Sequence, residues 1–183
     1  MPQREAWDLL ENLTPDLIVR GLPEVDLDAL AERGLEALLL DLDNTICPWH
    51  GEEPAPGCGE WVATARERFR LCIVSNSIKP HRLQRVAGRL GIPAIGRFLV
   101  GRKPGKGGIL AALKLIGSEP AKAAMIGDQV LADVLGGNRL GMYTVWVLPL
   151  QQREFIGTKF ARCVESLLVR RFRRLGLMPE DDG

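Results

Sequence analysis

The sequence predicts an α/β fold: one doubly wound parallel sheet with helices on both faces. Three observations carry that expectation. From position 36 onward, short β-rich runs alternate with helical stretches of about 10–15 residues, the pattern of right-handed βαβ units. A chain of 183 residues suffices for one domain with a full core and would cramp a second. Polar residues follow four of the apolar runs directly, where the carboxyl ends of parallel strands open onto a ligand crevice.

The first 34 residues read as a helical lead-in. Trp7, Leu10 and Leu13 fall at helical spacing, and Thr14-Pro15 reads as a helix restart with proline in its first turn. Leu27, Leu30 and Leu35 lead through Arg33-Gly34, a stop signal, into the first strand at 36–41. Further strands are expected at 71–75, 94–99, 122–126 and 142–147. Helices are expected near 56–69, 79–90, 106–117, 129–138 and 153–173. The core is thus assigned to 35–150, and 151–183 to a C-terminal amphipathic basic helix and tail. No internal repeat, low-complexity stretch or long linker divides the chain.

Composition narrows the function. With 24 basic against 23 acidic residues, net charge gives no global case for nucleic acid, and no specific nucleic acid is expected. No apolar stretch approaches the roughly 20 residues of a spanning helix. Met1-Pro2-Gln3-Arg4-Glu5 lacks the apolar core of a secretion signal, so a cytoplasmic protein is expected. The cysteines (Cys47, Cys58, Cys72, Cys163) form no C-x-x-C pair, which argues against a disulfide framework. Cys47, His50 and Cys58 lack the fourth ligand of a structural zinc site.

Leu38-Leu39-Leu40 runs directly into Asp41-Leu42-Asp43-Asn44-Thr45. Alternation along a strand puts Asp41 and Asp43 on one face, where two carboxylates could hold a hard cation and leave one free to attack or move a proton. The second strand ends in Ser75-Asn76, the third is followed by Gly101-Arg102-Lys103-Pro104, and the fourth by Gly127-Asp128 with Asp133 beyond. Each string alone is a common turn or helix cap. Their recurrence at four successive strand ends is what caps do not predict. Hydrolysis of a phosphate monoester needs a nucleophile, a cation, donors for the phosphoryl oxygens and an acid. Asp41 suits the nucleophile, Asp41 and Asp128 the Mg²⁺ ligands, Ser75 and Lys103 the donors, and Asp43 the acid and base. The intervals from Asp43 to Ser75 and from Ser75 to Lys103 are each consumed by one helix and one strand, so no large cap domain fits and an open site is expected.

These motifs resemble those of the haloacid-dehalogenase (HAD) phosphatases, more narrowly the capless IIIA group of YqeG type, which includes phosphatidylglycerophosphate phosphatases. The superfamily likeness rests on Asp41-Leu42-Asp43-Asn44-Thr45, Ser75-Asn76, Lys103-Pro104 and Gly127-Asp128 with Asp133. The narrower one rests on Thr14-Pro15-Asp16, Val25-Asp26-Leu27, Asp128-Gln129, and Asp133-Val134-Leu135-Gly136-Gly137-Asn138-Arg139 with Gly141. The resemblance implies a Rossmann-like sheet and an aspartyl-phosphate formed on Asp41. Asp43 would protonate the leaving oxygen and then deprotonate water. Asp41, the backbone carbonyl of Asp43, and Asp128 would hold Mg²⁺. Ser75, Asn76 and Lys103 would bind the phosphoryl group, with Thr45 and Asp133 in support. A carboxylate at position 43 points to a phosphatase, since dehalogenases of the superfamily lack it. Ser77 stands where many relatives carry Asn.

Other features were weighed against blander uses. Gly101–Gly108 misses the P-loop pattern at Val100 and Gly107. Arg139 reads equally as a surface residue near a helix C-terminus or as an anchor for substrate phosphate. Trp49 and His50 read as flap residues beside the site. Arg170, Arg171, Arg173 and Arg174 cluster at the end of an amphipathic helix, a pattern suited to peripheral contact with anionic lipid headgroups. The leading reading is a Mg²⁺-dependent phosphatase at the inner membrane face, with phosphatidylglycerophosphate as substrate. A soluble phosphatase for a sugar phosphate or nucleotide, and an interaction protein such as a ribosome-assembly factor, stand as alternatives.

Overall fold

The computed structural model describes residues 11–96, 102–148 and 159–179. Six strands form one sheet: β1 (Leu17–Val19), β2 (Ala37–Leu40), β3 (Arg70–Ser75), β4 (Ala94–Gly96), β5 (Ala123–Gly127) and β6 (Tyr143–Val147). Their order is β1-β6-β5-β2-β3-β4, and every pairing is parallel. The helices are α1 (Leu27–Glu32), α2 (Cys58–Ala65), α3 (Pro80–Leu90), α4 (Lys106–Ile116), a π-helical segment (Val130–Val134) that continues as α5 (Leu135–Asn138), and α6 (Lys159–Arg174).

Strand alternation sorts the core into two layers. Leu38, Leu40 and Ile73 face a cluster with Leu30, Trp61, Val62, Leu83 and Val86, from α1, α2 and α3. Leu39, Cys72, Val74 and Met125 face Ile109, Ala112 and Leu113 of α4. Trp146 packs with Val134, Leu135, Leu168 and Phe172 from the π-helical segment, α5 and α6. β2 is buried along its whole length, so it reads as a continuous apolar run. From β2 the chain winds outward through β3 and β4, then crosses back to β5 and β6. The switch point therefore lies between β2 and β5, and the crevice opens beyond Leu40 and Gly127.

One expectation is overturned at the N-terminal side. Thr14-Pro15 does not restart a helix; the residues that follow form the edge strand β1. Asp16 N–H donates to the Thr144 carbonyl (3.0 Å), while the Asp16 carboxylate accepts from Thr144 N–H (2.8 Å). This two-way splice lays Leu17, Ile18 and Val19 beside Val145, Trp146 and Val147, and proline just before an edge strand removes no ladder donor. The helical pattern at Trp7 and Leu10, the distal part of the 94–99 strand, and residues 153–158 of the last helix lie outside the described residues.

Candidate active site

At the switch point, Asp41 follows β2 and its backbone N–H donates to the Ile126 carbonyl (2.8 Å), fixing it beside Gly127. Asp128 follows β5, and Asp133 returns to the same place from the π-helical segment, a rare geometry that often accompanies function. Carboxylate oxygens of Asp41, Asp128 and Asp133 lie within 4.8 Å of one another, and all three residues are buried. Gly127 is what admits Asp133. A Cβ there would stand 2.2 Å from Asp133 Oδ2, so only a bare α-carbon leaves room.

Lys103, itself buried, reaches this cluster from beyond β4. Its Nζ lies 2.6 Å from Asp41 Oδ1, 2.6 Å from Asp133 Oδ1 and 2.6 Å from the Val74 carbonyl. Burial alone would lower the Lys103 ammonium, but Asp133 and Asp41 outweigh it and hold it above the usual lysine range. Asp41 is pushed up to about 7, chiefly by burial; Lys103 pulls it back, while Asp133 and Asp43 push further. Asp128 is raised well above the ordinary carboxylate, by burial and then by Asp41 and Asp133. With all three carboxylates ionised, one ammonium would leave an excess of negative charge.

A hard divalent cation would balance that excess, and the donor set fits one. Asp128 Oδ1, Asn44 Oδ1 and Thr45 Oγ1 are buried without a hydrogen-bond partner, where a native structure ordinarily pairs such atoms. Asp128 Oδ2 accepts from Asn44 Nδ2 (3.3 Å) and the Asp128 carbonyl from Trp146 Nε1 (2.8 Å), which leaves Oδ1 as the free oxygen. Asn44 holds this place with a left-handed backbone (φ 58), a conformation asparagine tolerates well. It is a site residue to which sequence reasoning assigned no role.

Asp43 stands outside the Asp41–Asp128–Asp133 trio, though close enough for its charge to raise Asp41. Its carboxylate is held from the side of α3. There Oδ1 lies 2.8 Å from Arg82 Nη1 of α3 and accepts from His50 N–H (3.1 Å). Arg82 is 3% exposed, and nothing in its sequence neighbourhood sets it apart from the other arginines of α3.

Ser75 ends β3, buried, and its Oγ accepts from Ser77 N–H (3.1 Å). The Asn76 side chain grips the Lys103 backbone: Oδ1 accepts from Lys103 N–H (2.8 Å) and Nδ2 donates to the Lys103 carbonyl (3.2 Å), a clamp that aims the lysine.

Arg139 does not join the site. It is exposed at the C-terminal end of α5, just before β6 begins, at the sheet edge opposite the crevice. That edge carries a shallow polar depression lined by Glu11, Asn12, Asp16, Asn138 and Met142. Asn138 Nδ2 there donates to the carbonyls of Asn12 and Thr14 (2.9 Å each), which ties the Gly136-Gly137-Asn138 stretch to Thr14-Pro15-Asp16. Cys47 and Cys58 are buried thiols pushed up to about 11 chiefly by burial.

A carboxylate trio with one buried lysine, at the switch point of a parallel sheet, matches the class of HAD-type hydrolases. A family model described as HAD-hydrolase-like matches residues 100–149, the stretch carrying Lys103, Asp128 and Asp133. Over 163 residues the chain is 32% identical to the "Probable phosphatase YqeG" of Bacillus subtilis (strain 168), covering 88% of this chain and 92% of that one. The chain therefore belongs to the HAD phosphatases, in the group of that relative. It is also 33% identical to a chloroplastic "Phosphatidylglycerophosphate phosphatase 1" of Chlamydomonas reinhardtii, covering 90% of this chain and 64% of that protein. A solved protein from Listeria monocytogenes serotype 4b shares the fold, with a TM-score of 0.54 and 19% identity over 75% of this chain and 99% of that one.

Proposed function

We propose that the chain is a Mg²⁺-dependent phosphomonoesterase working through an aspartyl-phosphate, with a phosphatidylglycerophosphate-type lipid as substrate. The observation that carries the reading is the buried Asp41–Asp128–Asp133 cluster with Lys103 inside it and Asp128 Oδ1 left free. Asp41 attacks phosphorus, the ester P–O bond breaks, and the leaving oxygen takes its proton from Asp43. Asp43 then takes a proton from water as that water attacks the acyl phosphate, which releases inorganic phosphate and restores Asp41. Ser75 and Lys103 receive the phosphoryl oxygens. Asp133 holds Lys103, and Asn44 and Thr45 shape the loop. Asp41, Asp128 and the Asp43 carbonyl would hold Mg²⁺, which supplies charge neutralisation to the phosphoryl group.

Three features support the lipid substrate. The relatives covering most of this chain include proteins named for that activity, although the chain spans only 64% of the algal one and 50% of the plant one. No inserted domain covers the crevice among the described residues. α6 buries Leu168 and Phe172 against Trp146, yet exposes Leu167, Arg170, Arg173, Arg174 and the following Leu175, a basic and partly apolar face suited to anionic headgroups. No described helix is long and apolar enough to cross a membrane, so contact would be peripheral. In this reading the N-terminal segment 1–34, the core 35–150 and the tail 151–183 work as one unit at the inner membrane face. The test is a substrate panel of phosphatidylglycerophosphate in anionic vesicles, sugar phosphates and nucleotides, with vesicle cosedimentation. Preference for the lipid, with cosedimentation lost when Arg170, Arg171, Arg173 and Arg174 become Gln, supports it; preference for a soluble ester with no vesicle binding overturns the lipid assignment.

A further inference from the structure

The loop that follows the catalytic segment is tied to one face of α3 by three arginines. Arg82, Arg85 and Arg89 are spaced by three and four residues, so they project from the same side of the helix. Each grips consecutive residues of the loop. Arg82 donates to the Gly51 carbonyl from both Nε (2.9 Å) and Nη2 (2.5 Å). Arg85 pairs with the Glu52 carboxylate, Nε to Oε2 at 2.9 Å, and Arg89 donates to the Glu52 carbonyl (3.1 Å) and pairs with Glu53.

The three contacts are unequal. Arg85 and Arg89 are 59% and 46% exposed, where solvent and salt leave an ion pair little net value. Arg82 is buried at 3%, and its remaining nitrogen, Nη1, is the one facing Asp43 Oδ1 at 2.8 Å. That contact is an ion pair without hydrogen-bond alignment. The loop contributes a second donor to the same oxygen through His50 N–H. One guanidinium thus fixes both the carboxylate and the loop that carries the carboxylate's other donor.

We propose that Arg82 is a positioning residue that dictates which oxygen of Asp43 serves the leaving group. This rests on the reading of Asp43 as general acid. Oδ1 accepts the His50 N–H and faces the positive Arg82 guanidinium at 2.8 Å, so a proton on this carboxyl group is driven off that oxygen. Among the described residues every polar contact of Asp43 falls on Oδ1, which makes Oδ2 the oxygen that carries the proton and passes it to the departing alkoxide. With Arg82 gone, Oδ1 keeps only the His50 donor, the Gly51 tether is lost, and the carboxyl group is free to rotate. Arg82 does not touch substrate in this scheme, because it is buried with its guanidinium facing Gly51 and Asp43.

The test compares kcat/KM for two probes. 4-Nitrophenyl phosphate releases a leaving group that departs without a proton, whereas glycerol 1-phosphate releases an alkoxide that needs one. Arg82→Met keeps the buried stem, Arg82→Lys keeps the charge but loses the fork, and Asp43→Asn is the reference for a lost acid. The expected result is a fall of about 100-fold on the alkyl ester against less than about 5-fold on the aryl ester, with Arg82→Lys between Arg82→Met and wild type. If Arg82→Met does not fold, Arg82→Lys alone must still show the selective loss. Equal losses on both esters, or none, in a folded Arg82 variant while Asp43→Asn remains selective would overturn the positioning role and leave the acid assignment standing. An unselective Asp43→Asn would remove the acid assignment and this inference with it.

Discussion

Replacing Asp41 by Asn should stabilise the cation-free protein at neutral and alkaline pH. Two effects compete. The substitution weakens a buried ion pair with Lys103, a loss that can reach about 3–5 kcal/mol when a charge is stranded. Lys103 is not stranded, however: it keeps Asp133 and the Val74 carbonyl, and the Asn amide oxygen can still accept from it. Against that stands the cost of ionising Asp41 where it sits. Its carboxyl titrates near pH 7 in the folded protein, against an ordinary value of 3.8, and Lys103 is already included in that balance. The gap corresponds to about 4 kcal/mol. Because the folded-state value is raised, the associated stability is fully present below about pH 4 and is lost as pH rises through about 7. Lys103 stays charged throughout that window and does not alter the sign. Urea unfolding in EDTA should therefore place Asp41→Asn about 1–2 M above wild type at pH 8, with the two converging near pH 4. Saturating Mg²⁺ should narrow the pH 8 difference, since wild type gains about 2.7 kcal/mol at a hundredfold excess over Kd and the variant gains less. An Asp41→Asn protein less stable than wild type at pH 8 in EDTA would refute this, because the ion pair would then outweigh burial.

Gly127→Ala should cost about 3–5 kcal/mol in urea unfolding and abolish turnover, since the added methyl group must expel Asp133 from Lys103 and from the Gln129 N–H; wild-type stability would mean Asp133 does not occupy that space. Arg139→Gln should leave kcat/KM on any active phosphate ester within about twofold, because its exposed side chain lies across the sheet from the crevice; a tenfold loss would restore the substrate-anchor reading.

Much of the fold was legible because its signals are local. The fully buried β2 announced itself as Leu38-Leu39-Leu40, and the stop signal read at Gly34 is a real left-handed helix end. The edge strand β1 was not legible. Three residues give no period, and what makes them a strand is Asp16 meeting Thr144, far along the chain. The meeting of Asp41, Lys103, Asp128 and Asp133 could be anticipated since each stands at or just beyond a strand end, which a parallel sheet brings together. Arg82 and Asn44 could not be. Arg82 is one of three arginines of α3, and only burial distinguishes it. Asn44 matters through the direction of one amide nitrogen, which depends on a left-handed backbone turn. Asp43 shows the limit of strand periodicity: alternation could not say that its carboxylate would meet Arg82.

The most direct measurement is to trap the covalent enzyme. Rapid quenching in acid during turnover of 4-nitrophenyl phosphate with Mg²⁺, followed by peptide mass spectrometry, should find one phosphoryl group on Asp41 and none in Asp41→Asn. A phosphorylated residue other than Asp41, or rapid turnover by Asp41→Asn, would contradict the account.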